Sequence, residues 1–229
     1  MRIITIDNGN TNPHAGIFEN DQLIAVQPLA SFEQLPDDFI LMSNVGKRIT
    51  FTPNIDLKQF RTPEKFFYMP VNYGLTLGED RLYSAFYLYQ SVKKTERVLL
   101  LDAGTFLTAD LITEQGFIGG YIFPGSRTFL KSYTSGHQLP HIQSLQITED
   151  LPASTEEAIS MAHEMYWESI LENLVKKISP SRIVLTGGDG QMLEKKYKKL
   201  NLTFPLEFDP HLLHRSMHSI YLHHLKDRQ

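Results

Sequence analysis

The sequence predicts an α/β protein of two similar lobes, each a mixed sheet flanked by helices. Short β-branched and apolar runs alternate with helical stretches along the chain, which is the signature of the class. One unit then recurs. A strand, an Asp-x-Gly loop and a hairpin stand near residue 1 and again near residue 97. A period of about half the chain indicates two related lobes and not a solenoid. The 229 residues are enough to give each lobe its own core.

The first strand is Arg2-Ile3-Ile4-Thr5-Ile6, β-branched and apolar. It stops at the turn cluster Asp7-Asn8-Gly9-Asn10-Thr11-Asn12-Pro13. Ala15 to Phe18 and Gln22 to Val26 read as strands around the turn Glu19-Asn20-Asp21. Phe39 to Ser43 reads as a strand and Gly78 to Lys93 as a helix. The grammar then repeats. Val98 to Leu101 is a strand ending at Asp102-Ala103-Gly104-Thr105, and Leu107 to Ile112 and Phe117 to Ile122 flank Thr113-Glu114-Gln115-Gly116. Arg127 to Tyr133 reads as a helix. Thr155 to Ile178 carries Ile159, Ala162, Met165, Tyr166, Ile170, Leu174 and Ile178 at helical spacing, with Pro180 as its stop. Ile183-Val184-Leu185 ends at Thr186-Gly187-Gly188-Asp189-Gly190. A lysine-rich helix, a strand from Leu202 to Phe208 and a helix from His211 to about Leu225 complete the chain. The lobe boundary is expected at Lys93 to Arg97, giving lobes 1–95 and 96–229.

Composition removes several chemistries. With no cysteine there is no disulfide, thiolate zinc site or cysteine nucleophile. A net charge of −4 disfavours nucleic acid as a partner. No apolar run approaches the roughly 20 residues of a membrane span, and Met1 to Ile6 is too short for a signal peptide. The expectation is a soluble cytoplasmic protein with neither membrane nor nucleic-acid partners.

A nucleoside triphosphate needs backbone N–H groups at close range, hydroxyl donors and a carboxylate to order its Mg²⁺. Asp7, Gly9, Asn10 and Thr11 supply that set after one strand, and Asp102, Gly104 and Thr105 supply it again. The arrangement implied is two loops facing across a cleft. Thr186-Gly187-Gly188 would let an adenine approach the backbone. A single Asp-x-Gly loop is most often an ordinary turn; two in equivalent places, with a strand-terminal Gly-Gly, favour phosphates. Neither a P-loop nor a Rossmann glycine motif is present.

Taken in order, these segments resemble type III pantothenate kinases. Asp7-Asn8-Gly9-Asn10-Thr11 and Asp102-Ala103-Gly104-Thr105 resemble the two phosphate motifs of that family. Gly78-Glu79-Asp80-Arg81 matches its Gly-x-Asp-Arg motif, and Gly119-Gly120-Tyr121-Ile122-Phe123-Pro124-Gly125 its Gly-Gly-x-Ile-x-Pro-Gly segment. Ser154-Thr155-Glu156-Glu157-Ala158-Ile159 is similar to its substrate-contacting threonine segment, and Leu185-Thr186-Gly187-Gly188 to its adenosine segment. The chain departs from the pattern at Asn8, usually aliphatic; over Tyr73 to Gly78, which is short; at Ser160-Met161-Ala162-His163, where a glycine is usual; and at Leu212 to Met217, which lacks another glycine.

The resemblance implies a duplicated actin-like ATPase (ribonuclease H-like) fold and transfer of the ATP γ-phosphoryl group to pantothenate, the first step of coenzyme A synthesis. It further implies Asp80 as catalytic base. ATP would lie on Asp7, Asn8, Gly9, Asn10, Thr11, Asn12, Gly104, Thr105, Gly187 and Gly188. The substrate would lie on Tyr73, Gly78, Glu79, Asp80, Arg81 and Thr155. Asp102 would hold a monovalent cation (K⁺ or NH₄⁺), Asp7 would hold Mg²⁺ through water, and the enzyme would be a homodimer. By position alone, Asp80 equally complements a helix dipole, Arg81 equally pairs with Asp80, and Thr155 equally starts a helix. His211, His214 and His218 read as packing or surface residues, Lys195, Lys196, Lys198 and Lys199 as a solvated helix face, and Trp167 as core or interface. Two other functions fit the same motifs: a kinase for another small alcohol, and a nucleotide-binding regulatory protein without turnover. An intact Asp80 and two intact loops favour an enzyme.

Overall fold

The β-branched run at the start of the chain becomes β1 (Ile3–Asn8), the strand on which the first sheet is built. The computed structural model describes residues 2–226. β2 (His14–Glu19) returns antiparallel to β1, and β3 (Gln22–Pro28) follows antiparallel to β2. The two-residue loop between them, Asn20-Asp21, has φ of 49° and 62°, the positive angles that match a tight hairpin to strand twist and that Asn and Asp tolerate. β4 (Phe39–Asn44) crosses over to lie parallel to β1 on its other side, so the sheet order is β3-β2-β1-β4. Two short strands, β5 (Lys65–Phe66) and β6 (Met69–Pro70), form a separate hairpin that the sequence did not announce.

The second sheet repeats the first. β7 (Arg97–Ala103), β8 (Phe106–Thr113), β9 (Gly116–Pro124) and β10 (Arg182–Thr186) stand in the order β10-β7-β8-β9, with β11 (Leu206–Phe208) parallel to β10 at the edge. With β7 to β10 in place of β1 to β4, the two orders coincide. The duplication expected from the loops is therefore a duplication of topology.

Helices cover the sheets. α1 (Glu79–Tyr89) and α5 (Leu212–Lys226) pack on each other and against β4, and α5 also packs on β1. α3 (Thr155–Ile178) packs on α2 (Ser126–Ser132) and on α4 (Gly190–Lys199), and α4 also rests on β10 and β11. α3 starts and stops where the sequence places it. Ser154 and Glu157 form a reciprocal capping box, and Ser179 turns left-handed at φ 47° ahead of Pro180. The strand expected from Leu202 shrinks to β11 (Leu206–Phe208), whose preceding residue Pro205 has no N–H to donate. α1 ends at Tyr89, short of the expected Lys93.

The chain separates into two compact units. One runs to Val98 and takes in Asp110–Gly119 and the chain from His211; the other holds Leu99–Ala109 and Gly120–Pro210. The first crossing is close to the expected boundary, but the C-terminal helix belongs with the N-terminal unit and not with 96–229. The reason is burial: Leu212, Leu213, Met217, Ile220 and Tyr221 line the buried face of α5, which packs on α1 and β1. Within that unit Ile4, Ile6, Ala15, Phe32 and Ile40 form a core cluster, joined by Ile17, Leu29 and Met42.

Trp167 is fully buried in the core, and His214, His218 and His224 pack on the buried face of α5. Lys196 corrects the expectation of a wholly solvated face on α4. It is buried and bonds Glu164 of α3, while Lys198 and Lys199 meet Glu194 and Glu168 with their heads exposed. Among the described residues no helix is long and apolar enough to cross a membrane.

His214 sets a pH limit on this packing. Its Nδ1 lies 2.8 Å from the Thr5 hydroxyl. Burial, with His211, His14 and Arg215 nearby, pushes its pKa down to about 3 from 6.5. The unfolded chain takes up this proton near pH 6.5 and the folded chain only near 3, so stability falls as pH is lowered through that window. One such group contributes a slope of up to about 1.4 kcal/mol per pH unit. Urea melts between pH 7 and 4 should show that slope reduced in His214→Asn, whatever its absolute stability.

Candidate active site

In the first unit the site is built where β1 and β4 end together. The two strands pair in register to their last residues, Asn8 beside Asn44. Asn8 is 1% exposed, and its amide donates to Asn44 Oδ1 and to the Lys47 carbonyl, both at 2.6 Å. Its own carbonyl accepts the N–H groups of Val45 and Gly46. The side chain expected on ATP is thus turned inward, where it ties the loop after β4 to the loop after β1. Gly46 permits the approach: a Cβ there would sit 2.4 Å from the Gly9 carbonyl oxygen. Gly9 is half-buried, and Asn10, Thr11 and Asn12 are exposed beyond it.

The start of α1 is drawn to the same place. Glu79 accepts the Asn44 N–H at 2.8 Å and lies 3.7 Å from Lys58 Nζ, so it anchors the helix to the end of β4. Gly78 is the N-cap and Asp80 the second helical residue. Asp80 Oδ1 accepts the N–H of Arg81 at 2.8 Å. Burial raises the pKa of the Asp80 carboxyl, against the opposing pull of Arg81. Asp7, at the end of β1, is pushed up to about 7, first by burial and then by the charge of Asp80, with the Gly9 N–H pulling the other way. Asp7 and Asp80 are therefore neighbours, both desolvated, and the charge of Asp80 opposes ionisation of Asp7. Oxygen donors short of positive charge are what a divalent cation seeks, so this pair fits Mg²⁺. Among the described residues no group of three or more His, Cys, Asp or Glu side chains is placed to hold a metal ion.

Arg81 does not point at solvent. It is 5% exposed and grips the fully buried Asp110 of β8, Nε bonding both carboxylate oxygens and Nη2 bonding Oδ1. Asp110 holds the guanidinium charged against the cost of burial. The same group lies 5.1 Å from the Tyr73 ring centre and 5.8 Å from that of Phe117. Tyr73 itself is half-buried, its carbonyl held by Arg61 at 2.8 Å.

The second unit repeats the junction. Asp102 and Ala103 end β7, and Gly104 and Thr105 form the loop, both half-buried. Gly187, at φ +89°, brings the loop after β10 against it; a Cβ there would meet the Ala103 carbonyl and Asp102 Oδ1 at 2.5 Å. The Ala103 carbonyl accepts the Asp189 N–H, as the Asn8 carbonyl accepts that of Gly46. Asp102 Oδ1 thus lies, with the Ala103 carbonyl, against the backbone of Gly187. A third strand of chain closes in: the Thr105 carbonyl accepts the Gly125 N–H and the Thr128 hydroxyl. Gly188 is exposed and opens on a depression of about 480 Å³ that Asp189, Gln191, Met192, Lys195 and Lys196 also line. Thr155 is the exposed first residue of α3, next to its cap Ser154.

A profile of the type III pantothenate kinase family matches residues 40–177, more than half of the chain. The chain belongs to the type III pantothenate kinase family. A type III pantothenate kinase of Flavobacterium johnsoniae is 30% identical over 234 residues, covering 90% of this chain and 94% of that one. A crystal structure from Campylobacter jejuni, described as a Baf family transcriptional activator, superposes with a TM-score of 0.62 at 21% identity over 97% of this chain and 99% of that one. A Listeria monocytogenes protein described as an N-acetylmannosamine kinase superposes at 0.53 with 12% identity over the full length of both. These likenesses show the fold alone, a duplicated actin-like α/β architecture.

Two contributors to this pantothenate kinase site escaped the sequence reading. Asp110 was detectable as the one acid in the apolar run Leu107 to Ile112, and Gly46 as part of Asn44-Val45-Gly46 at a strand end. Gly46→Ala tests the junction. The added methyl meets backbone, which has little freedom to yield, so the loop at Gly9 should shift. A displacement near 1 Å at such a site costs about 10²-fold. Kinetics should show turnover reduced by that order, calorimetric titration a weakened affinity for ATP, and a melt a lowered melting temperature, since the clash is with backbone.

Proposed function

We propose that this chain transfers the γ-phosphoryl group of ATP to the primary hydroxyl of pantothenate, giving 4′-phosphopantothenate for coenzyme A synthesis. Family membership supports the reaction. The single observation that carries the chemistry is the placement of Asp80, a desolvated carboxylate at the start of α1 beside Asp7 and the first phosphate loop. Phosphoryl transfer asks a protein mainly for positioning and for charge neutralisation. Asp80 accepts the substrate hydroxyl proton; with Oδ1 bonded to the Arg81 N–H, Oδ2 serves that hydroxyl. Its raised pKa makes it a better acceptor than an exposed aspartate.

Backbone N–H groups of Gly9 to Asn12 and of Gly104 and Thr105 hold the phosphates, and Gly187 and Gly188 hold the adenosine. Asp7 would hold Mg²⁺ through water, and the ion when bound neutralises charge on the phosphoryl oxygens. Asp102 would hold K⁺ or NH₄⁺. Gly78, Glu79, Tyr73 and Thr155 form the substrate surface. The enzyme works in the cytoplasm as a homodimer, as the family resemblance suggests.

A panel of small alcohols incubated with ATP and Mg²⁺ checks the substrate. Pantothenate alone should yield a phosphorylated product, faster with K⁺ or NH₄⁺ than with Na⁺. Turnover of another alcohol would reassign the substrate, and no turnover at all would leave a nucleotide-binding regulator.

Asp80→Asn checks the base. Asparagine keeps size and one oxygen but accepts no proton at neutral pH. Turnover should fall about 10²- to 10⁴-fold, with ATP binding unchanged. If Asp80 only complements the helix dipole, the variant should lose about 1 kcal/mol of stability at most and keep its kcat.

A further inference from the structure

We propose that Asp110 is a positioning residue of the reaction, holding Arg81 so that the first turn of α1, with Asp80, and the ring of Tyr73 are fixed together. The kinetic part of this proposal rests on the kinase reading above; the geometric part does not.

Asp110 sits on β8 with no exposed surface. Arg81 meets it with one edge of its guanidinium: Nε at 3.2 and 3.0 Å from the two carboxylate oxygens, Nη2 at 2.5 Å from Oδ1. This fork-to-fork pairing fixes orientation as well as distance. A buried ion pair is a weak contributor to net stability, since apolar residues of the same volume do as well. What it supplies here is direction. Arg81 is the residue after Asp80, and its main-chain N–H is the donor to Asp80 Oδ1. One residue therefore carries both the anchor in the strand and the clamp on the base.

The same anchor reaches Tyr73. Its main chain is held without help from Asp110: Arg61 donates to the Tyr73 carbonyl, and the adjacent Asn72 N–H bonds the Phe117 carbonyl at 2.9 Å. The ring stands edge-on to Phe117 at 5.8 Å and faces the Arg81 guanidinium. Arg81 is thus the lower wall against which Tyr73 rests.

Two carboxylates compete for Arg81. Asp80 is close enough for its charge to act on Asp110, and Arg81 acts on both. Asp110 takes the guanidinium hydrogen bonds through its fork geometry and leaves Asp80 only the longer-range attraction of Arg81. With Asp110 uncharged, the guanidinium loses its anchor and has Asp80 as the nearest carboxylate. The base would then be neutralised and turned, and Tyr73 would lose its support.

Asp110→Asn, Arg81→Lys and the double variant Arg81→Met/Asp110→Leu test this. The double variant removes both charges together and so avoids an unpaired buried ion; it keeps the test decisive if Asp110→Asn folds poorly. Backbone hydrogen exchange in the free protein reads the geometry. Amides of Asp80 to Leu82 should exchange faster in Asp110→Asn and in the double variant, while those of Phe86 to Tyr89 keep their protection. Kinetics read the function. The kcat/KM for pantothenate should fall about 10²-fold, the KM for ATP should stay within about twofold, and the lysine variant, which cannot form the fork, should share the defect. A purely structural role would lower the active fraction with both KM values unchanged. Wild-type kcat/KM in the folded double variant, or first-turn exchange unchanged in both variants, would overturn the proposal. If the unmodified protein fails to phosphorylate pantothenate, the kinase reading fails, and the exchange experiment still decides the role of Asp110.

Discussion

β1 and β4 run parallel and stay in register to their last residues, and the first half of the site depends on that shared end. A strand end exposes backbone groups that its own sheet no longer uses. Where two parallel strands end level, their outgoing loops are forced into one small space. Only a residue without a side chain, or with a short polar one that bonds backbone, can fill it. Gly46 and Asn8 meet those two conditions. Gly187 and the Asp189 N–H do the same at the end of β7. The loop chemistry is duplicated because the topology that demands it is duplicated.

Charge is the second organising feature of the N-terminal unit. Asp7, Asp80 and Asp110 are three desolvated carboxylates, and Arg81 is engaged with only one of them. A protein selected for stability alone would replace such a group with apolar side chains. Here the imbalance has a use. The carboxylate paired with Arg81 lies in the strand, and the other two stand beside the loop after β1, where the proposed function needs a cation and a proton acceptor. Glu79 belongs to the same scheme, since its bond to the Asn44 N–H holds the helix start against the strand end.

Much of this was legible in one dimension. Turn chemistry is local: Asp, Gly, Asn and Thr after a β-branched run mark a strand end wherever they occur, so both loops and the repeat could be read from composition at a few positions. α3 was legible to its terminal residues because its cap and its stop are adjacent in sequence. Asp110, Gly46 and the inward turn of Asn8 were not. Each acts on a partner at a distance along the chain, 29 residues for Arg81 and Asp110 and 36 for Asn8 and Asn44, and nothing in the local pattern names that partner. For the same reason the Asp110 partner of Arg81 was not read and Lys196 read as solvated, although burial commits both to carboxylates.

The sequence by itself determined most of the strands, the two Asp-x-Gly loops, the position of Asp80 at a helix start and, through ordered motifs, the family. Backbone preference and turn geometry act within a few residues, so those features are written where they occur. The tertiary structure alone decided that α5 returns to the first sheet, that Asn8 and Glu79 bind the strand ends together and that Arg81 faces Asp110. Those outcomes follow from burial and from the requirement that buried charges and amides find partners, and such partners are chosen among all groups the fold brings within reach, not among neighbours in sequence.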